Sequence, residues 1–373
     1  MTQTGSDIIH QIAFASLRGM NPTLARELLS RIGSEEAFFS ATERQLSSLM
    51  GFTNRIFDRA YRDSLIEKAR READFISAGS VRTVYFTEAD YPRRLLEAED
   101  APLLLYTLGN APIDKGRMLS IVGTRHATSY GISFVDSLLR DLKDMMADPI
   151  TIVSGLALGI DAAAHKASLR NSIPTAAVLA HGLNMIYPAQ HRSLAAEIVR
   201  SDGVLITEYS SADPVHKGNF IARNRIVAAL SDATLVVESA QKGGALITAR
   251  LAAGYNRDVF ALPGRTSDRF SQGCNRLIGD NSAALIQSAD DLITAMNWNR
   301  TAGTSNPSQP LLFPDLSEDE ESVMACLRDR GEAHISQISL VLNRPVSKVM
   351  ALLIDMEFKN LIMTYPGGKY RLK

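Results

Sequence analysis

The chain has 373 residues, more than one hydrophobic core usually supports, so two or three domains are expected. Hydrophobic residues make up 45% and charged residues 22% of the sequence, a balance that excludes a largely disordered or fibrous chain. With 40 Lys and Arg against 41 Asp and Glu, the formal charge is −1. Any attraction to a polyanion must therefore come from a local patch.

The cysteine pattern and the N-terminus bear on the cellular compartment. Cys274 and Cys326 lie far apart without CxxC spacing, which indicates neither a disulfide framework nor a thiolate zinc site. The segment MTQTGSDIIHQIAFASLRG lacks the basic start, apolar run and cleavage site of a secretory signal. No stretch reaches the ~18 apolar residues that span a bilayer. We therefore expect a cytoplasmic protein without a membrane segment.

Residues 1–80 are predicted to form a small all-helical domain, because apolar positions recur every three or four residues between 6 and 78. Turns at Gly19 and Gly33 can present backbone amides to a phosphate, as helix-hairpin-helix and SAM-like modules do, although helical packing alone explains the same spacing. Residues 81–116 carry the strand-like runs VRTVYF and PLLLYTLG around an acidic, proline-containing segment, which predicts a connector packed against the next domain.

Residues 117–298 alternate β-branched apolar runs with amphipathic helices, which predicts a Rossmann-like, doubly wound parallel α/β sheet. The candidate strands are MLSIVG, TIVSG, TAAVLA, GVLITE, TLVVE, DVFALP and AALI. Ligands of such sheets bind in the crevice at the carboxyl ends of the strands. Residues 299–316 read as a linker, and residues 317–373, which begin with a capping-box pattern at Ser317, follow the element order of a winged helix.

Two post-strand segments have the composition of an anion site. In Gly123-Thr124-Arg125 the glycine permits close approach of the backbone to a ligand, and Arg125 can direct two donors at one phosphate. In the segment VSGLALGID, Ser154 and Gly155 lie in a glycine-lined turn ahead of a helix. Either glycine can equally serve only to permit a tight turn, which many Rossmann-like proteins require.

The stretch HKGNFIARNR, residues 216–225, is the most informative. It combines the cations Lys217, Arg223 and Arg225 with Phe220 and Asn224, so that one helical face can stack a base while neighbouring side chains bind phosphate. Such interleaving suits a single strand, whose bases are exposed for stacking, better than a duplex. The alternative is a solvated basic helix end with Phe220 in the core.

A fourth segment, VVESAQKGGALIT, again has the order strand, glycine turn, helix. The amides of Gly243 and Gly244 and the hydroxyl of Thr248 are candidates to hold a phosphate, and Lys242 adds charge.

Catalytic and metal-binding alternatives find little support. Asp161 and His165 are four residues apart on one predicted helix, but a helix N-cap for Asp161 and packing of His165 on the sheet explain the pair better. The sequence contains no GxxxxGK[ST], HExxH, GxGxxG or GxSxG pattern and no cluster at metal-ligand spacing. We predict no catalytic residue, no metal and no cofactor.

The motifs VGTR, VSGLALGIDAAAH, AHGLNMIYP, TEY, NFIARNRIVAALSDATLVVESAQKGGALITA, VFALPG and GCNRLI occur in an order and spacing that resemble the DprA/Smf family of DNA-processing proteins. The resemblance implies a homodimer formed through the Rossmann-like domain that binds and protects single-stranded DNA and loads RecA recombinase in natural transformation, without catalysis. It also implies DNA contacts by Arg125, Lys217, Phe220, Arg223 and Arg225. The chain departs from the family pattern at Ile221, where members often have proline, and in the loop PGRTSDRFSQGCN.

Two other functions remain as alternatives. A Rossmann-like nucleotide phosphoribohydrolase of the LOG type needs a glutamate in PGGxGTxxE, and aligning Gly243 and Gly244 on that motif places Arg250 at the carboxylate position. A duplex-binding regulator would read DNA with the C-terminal helix 346–360, yet VSKVMALLIDMEFKN offers few Arg or Asn side chains for base edges.

Overall fold

The computed structural model describes residues 5–301, 317–359, 361–365 and 367–372. Contacts divide the chain into two compact units, 1–304 and 305–373. Residues 302–316, which make up most of the predicted linker 299–316, lie outside the described residues.

The N-terminal part of the first unit is helical. Its helices are α1 (Gly5–Ala15), α2 (Pro22–Ile32), α3 (Glu35–Ser40), α4 (Glu43–Met50) and α5 (Arg59–Ala78), with a 3₁₀ turn at Arg55–Phe57. Asn21, Ser34 and Thr42 cap the starts of α2, α3 and α4 with side-chain oxygens that accept backbone N–H groups, so the polar residues between the apolar runs fix where each helix begins. Phe14, Phe38 and Phe57 are buried between these helices.

A nine-stranded sheet forms the centre of the described part of the first unit, in the order β1-β2-β6-β5-β4-β3-β7-β8-β9. The strands are β1 (Arg82–Tyr85), β2 (Leu104–Gly109), β3 (Arg117–Val122), β4 (Ile150–Ser154), β5 (Thr175–Val178), β6 (Val204–Thr207), β7 (Ala233–Val236), β8 (Asp258–Ala261) and β9 (Ala284–Leu285). β3 to β9 pair in parallel, which confirms the Rossmann-like sheet, and β4 to β7 are fully buried, as continuous apolar runs predict.

The segment read as a connector adds two strands to this sheet. β2 pairs antiparallel with β6, and β1 pairs antiparallel with β2. Gly109 lies close to a neighbouring backbone, since a Cβ there would lie 2.2 Å from the carbonyl oxygen of Gly203. The φ of Gly109, +115°, also favours glycine. The helices of this region are α6 (Arg93–Leu96), α7 (Ser129–Met145), α8 (Ile160–Arg170), α9 (Arg192–Arg200), α10 (Lys217–Ala229), α11 (Ala245–Gly254), α12 (Gln272–Gly279) and α13 (Ala289–Ala295), with a 3₁₀ turn at Ala189–His191.

The strand order reverses between β3 and β7. From β3 the chain proceeds outward through β4, β5 and β6 on one side, then returns to β7 beside β3 and proceeds through β8 and β9 on the other. At such a switch point the loops after the two central strands diverge and leave a crevice at their carboxyl ends. The structure therefore places the loops after β3 and β7 around one opening.

The second unit comprises α14 (Glu318–Arg330), α15 (Ile335–Leu342) and α16 (Val346–Phe358) with an antiparallel sheet in the order β10-β12-β11. Its strands are β10 (Ala333–His334), β11 (Ile362–Tyr365) and β12 (Lys369–Leu372). The predicted capping box forms, since Ser317 and Glu320 exchange side-chain to backbone hydrogen bonds. The description of this unit as a winged helix stays a prediction.

Within the described ranges, no single helix is long and apolar enough to cross a membrane, although the bent pair Ile335–Leu342 and Val346–Glu357 passes that test on length and composition. The same residues contain no group of three or more His, Cys, Asp or Glu side chains arranged to hold a metal ion.

Candidate functional site

A pocket of about 290 Å³ opens at the switch point. It is lined by the loop after β3, the start of α8, one face of α10 and the glycine turn before α11. The predicted site residues that line it are Gly123, Thr124, Arg125, Phe220, Arg223, Asn224, Gly243, Gly244 and Thr248. All four sequence segments thus contribute to one opening, the second through Ala157 and Asp161, while Ser154 and Gly155 are not among the lining residues.

A cation and an aromatic ring form one wall of the pocket. The guanidinium carbon of Arg125 lies 5.8 Å from the ring centroid of Phe220, and Arg125 is exposed. Tyr187 packs edge-on against Phe220, with ring centroids 5.5 Å apart and an interplanar angle of 62°. Phe220 is half-buried, so part of its surface remains available. The wall therefore offers one positive charge and one aromatic face to the same ligand.

Arg223 lies at the floor of the pocket and is only 4% exposed. Its Nη1 donates to the carbonyl oxygens of Gly155 and Val178, and burial lowers the pKa of the guanidinium, an effect that the neighbouring Asp161 opposes. Gly155 is required here because a Cβ would lie 2.2 Å from that Nη1. The sequence predicted a DNA contact for Arg223, whereas the structure directs its Nη1 to carbonyl oxygens at the ends of β4 and β5, and its Nε has no hydrogen-bond partner among the described residues.

Asp161 is a pocket residue that sequence reasoning assigned to a different role. The expected N-cap is wrong, because α8 begins at Ile160 and Gly159 occupies the cap position. The carboxylate of Asp161 instead accepts the amides of Gly155 at 3.2 Å and Ala157 at 3.4 Å, in the loop before the helix. Burial raises its pKa, and the charge of Arg223 opposes that rise. Asp161 therefore organises the SGLAL loop beneath the pocket.

Arg225 lies apart from the pocket, contrary to the expectation that it joins the same crevice. Its Nη2 donates to Glu208, and both side chains are largely buried beside Asp100. Successive residues of an α-helix turn by ~100°, so positions two apart face nearly opposite directions. Because Arg223 faces the pocket floor, Arg225 faces away from it, into the ion pair with Glu208.

Other predicted donors are already used or lie outside the lining. The hydroxyl of Ser154 is buried and donates to the carbonyl oxygen of Ile121 at 2.7 Å, and the amide of Gly243 donates to Ala240 at 3.0 Å. Lys217, the first residue of α10, and Lys242, in the glycine turn, are exposed but do not line the pocket. The Ser154 hydroxyl and the Gly243 amide therefore already donate to backbone carbonyls in this structure.

His165 packs in the core, as the sequence indicated. Its Nδ1 lies 2.7 Å from the hydroxyl of Thr175, which itself donates to Ile152, so the imidazole donates from Nδ1 and leaves Nε2 unprotonated. Among the described residues, Nε2 has no hydrogen-bond partner. Burial, together with the charge of Arg223, lowers the pKa of His165 to about 3. A neutral, enclosed imidazole of this kind supports the sheet and does not face the pocket.

This depressed pKa predicts acid sensitivity. Between about pH 6.5 and the folded-state value of about 3, the unfolded chain binds a proton at this site that the folded chain does not, so stability falls as the pH falls. Wild type is expected to lose free energy of unfolding between about pH 7 and about pH 4.5. In His165→Asn, which keeps a donor for Thr175, that loss should be smaller by about 2–3 kcal/mol. Urea unfolding at both pH values measures this. His216→Asn, at an exposed site, serves as the control, and equal pH dependence in wild type and His165→Asn contradicts the assignment.

The fold and the pocket define an α/β protein of the Rossmann-like class that carries a ligand crevice at the switch point of its sheet. The chain belongs to the DNA recombination-mediator protein A family, whose model matches residues 82–297. The matched region spans the sheet from β1 through α13 and contains every residue that lines the pocket.

Named relatives agree with this assignment. Protein Smf of Synechocystis is 32% identical over 98% of this chain and 99% of its own length. The crystal structure of DNA processing protein A from Streptococcus pneumoniae superposes with a TM-score of 0.64 at 29% identity, covering 79% of this chain and 98% of that one. A structure from Helicobacter pylori, described as showing a single-stranded DNA binding mode of DNA processing protein A, matches with a TM-score of 0.53 at 30% identity over 60% of this chain and 99% of that one.

Proposed function

We propose that this chain binds single-stranded DNA in the switch-point pocket, with Arg125 on a backbone phosphate and Phe220 stacked on a base. The observation that carries the proposal is the Arg125–Phe220 pair at the pocket wall, where charge and an aromatic face meet. Aromatic stacking requires an unpaired base, because the faces of paired bases are covered within a duplex. The single-stranded DNA binding mode described for the Helicobacter pylori relative supports the same ligand class.

Further contacts follow from the lining. Thr124, Asn224 and Thr248 supply polar side chains at the pocket, and Gly123 and Gly244 let the backbone approach the strand. Lys217 and Lys242 are exposed cations outside the lining, placed to attract the strand before it enters. Arg223, Arg225, Ser154, Gly155 and Gly243 act through the scaffold that shapes the pocket.

The proposal assigns no catalytic step to the pocket. The carboxylate that lines it, Asp161, accepts two backbone amides, and the nearby Glu238 accepts the amide and the hydroxyl of Thr128. Arg250, at the position where a phosphoribohydrolase of the LOG type has its glutamate, is exposed and donates to Leu246 in its own helix. Release of free base from nucleoside monophosphates would instead favour the enzyme. On the basis of the family, we also propose a cytoplasmic homodimer, formed through the α/β region, that loads RecA recombinase onto the strand.

Fluorescence-anisotropy titration with labelled single-stranded and double-stranded oligonucleotides at several salt concentrations tests the function. We expect tighter binding of the single strand. Arg125→Ala should weaken that binding and reduce the slope of log K against log salt by about 0.7, the value for one phosphate contact on a single strand. Arg140→Ala, an exposed arginine of α7, is the matched control and should leave the slope unchanged. An unaltered slope in Arg125→Ala, or preference for the duplex, contradicts the proposal.

A further inference from the structure

Besides the Arg125–Phe220 pair, the loop after β3 takes part in a second cluster of aromatic rings and a cation, which begins at the next residue, His126. Arg125 lies over Phe220, whereas the next residue, His126, stacks on Phe270 with ring centroids 6.1 Å apart and an interplanar angle of 21°. The guanidinium carbon of Arg269 lies 5.8 Å from the ring centroid of Phe270. Two neighbouring residues of the loop after β3 therefore each meet an aromatic ring from a different element, α10 for Phe220 and the loop before α12 for Phe270.

We propose that the loop of residues 264–271 forms a second stacking subsite for the same single strand, with the His126–Phe270 pair as the platform for a base and Arg269 on a phosphate. This inference rests on the function proposed above and extends it from one nucleotide pocket to a track of two platforms.

The loop is held in place by backbone contacts to the pocket itself. The amide of Ser239 donates to the carbonyl oxygen of Phe270 at 2.6 Å, and Ser239 lines the pocket. Asn275 bridges the start of the loop, since its side chain accepts from the amide of Gly264 at 3.1 Å and donates to its carbonyl at 2.9 Å. The loop that carries the phenylalanine ring is therefore preformed and tied to a pocket residue, which lowers the entropic cost of binding.

The charge of the loop suits a polyanion. Arg265 and Arg269 are both exposed, and Asp268 is the one carboxylate between them. Phe270 is half-buried and His126 is exposed, so the platform is accessible from solvent. A cation beside an accessible aromatic platform is the combination that binds a nucleotide without regard to its sequence.

Oligonucleotide length separates this subsite from the first. Phe270→Ala is expected to weaken binding of an oligothymidylate of about 15 nucleotides by about 5- to 50-fold, and to change binding of one of about 4 nucleotides by less than about twofold. Phe220→Ala should weaken binding of both. Phe52→Ala, which removes an exposed phenylalanine from the N-terminal helical region, is the control and should affect neither.

A tryptophan at this position gives a direct readout. The sequence contains one tryptophan, Trp298, which is buried, so Phe270→Trp adds an accessible fluorophore while keeping a stacking surface. We expect the long oligonucleotide to bind this variant as tightly as wild type and to quench the added fluorescence. The short one should leave that fluorescence unchanged.

The outcomes distinguish the two proposals. If Phe220→Ala weakens both ligands but Phe270→Ala weakens neither, or weakens both equally, the second subsite is wrong and the first stands. If Phe220→Ala and Arg125→Ala weaken neither ligand, the proposed function itself is wrong. Thermal unfolding of each variant shows whether a loss of affinity is due to misfolding. If Phe270→Ala misfolds, quenching of the added fluorescence in Phe270→Trp by the long oligonucleotide supports the second subsite, and absence of quenching contradicts it.

Discussion

Replacing Arg223 with methionine is expected to lower the free energy of unfolding by about 3–5 kcal/mol, the cost of leaving a buried charge and buried acceptors uncompensated. The substitution fills much of the same volume but leaves the carbonyl oxygens of Gly155 and Val178 without their donor and Asp161 without its opposing charge. Since these groups form the pocket floor, binding of single-stranded DNA should be lost with stability. Urea unfolding and anisotropy titration measure the two effects.

A double-mutant cycle separates the charge effect from the packing effect. Asp161→Asn replaces the buried carboxylate with a neutral amide, so the further change Arg223→Met should cost less than it does in the wild-type background. Arg140→Met, on the exposed surface of α7, controls for the loss of an arginine as such and should shift stability by less than about 0.5 kcal/mol. Additive effects of the two pocket mutations would show that Asp161 and Arg223 do not interact.

Arg223 also illustrates what the sequence can and cannot predict. The composition of HKGNFIARNR singles out the segment whose Phe220 and Asn224 line the pocket with Arg125. The direction of each arginine depends on the phase of α10, in which Asn219, Arg223 and Ile226 share the buried face. That phase is obscured in the sequence because polar residues occupy positions on the buried face, so the usual apolar periodicity is absent.

The sheet shows a similar division between local and non-local information. Continuous apolar runs predict the parallel strands, most clearly β4 to β7, which are buried on both faces. They do not predict that β1 and β2 join the same sheet, since strand pairing is a contact between distant residues and the edge at β6 is not marked in the sequence. The N-cap that the sequence suggests for Asp161 is wrong for a related reason: its carboxylate accepts amides of the preceding loop, whose conformation the sequence does not reveal.

Adding a single methyl group at Gly159 is expected to have a large effect on binding. Its backbone has φ +78° and ψ −124°, a region that only glycine adopts readily. A Cβ there would lie 2.1 Å from the carbonyl oxygen of Thr124 and 2.8 Å from the Cα of Arg125. Both contacts are with backbone, so no side chain can turn aside to relieve them. The turn before α8 thus fixes the position of the loop that carries Arg125.

We therefore expect Gly159→Ala to destabilise the protein by about 2–5 kcal/mol, from backbone strain together with overpacking. The affinity for single-stranded DNA should fall at least about tenfold, because Arg125 moves away from Phe220. Gly254→Ala is the matched control, since no atom lies within 4 Å of the added methyl at the end of α11. Gly244→Ala adds a methyl group at the pocket with equally open space around it, so the stability should be unchanged. A loss of affinity in this variant would show that the DNA strand approaches the backbone at Gly244. Wild-type affinity in a folded Gly159→Ala variant would show that the position of the Arg125 loop does not govern binding.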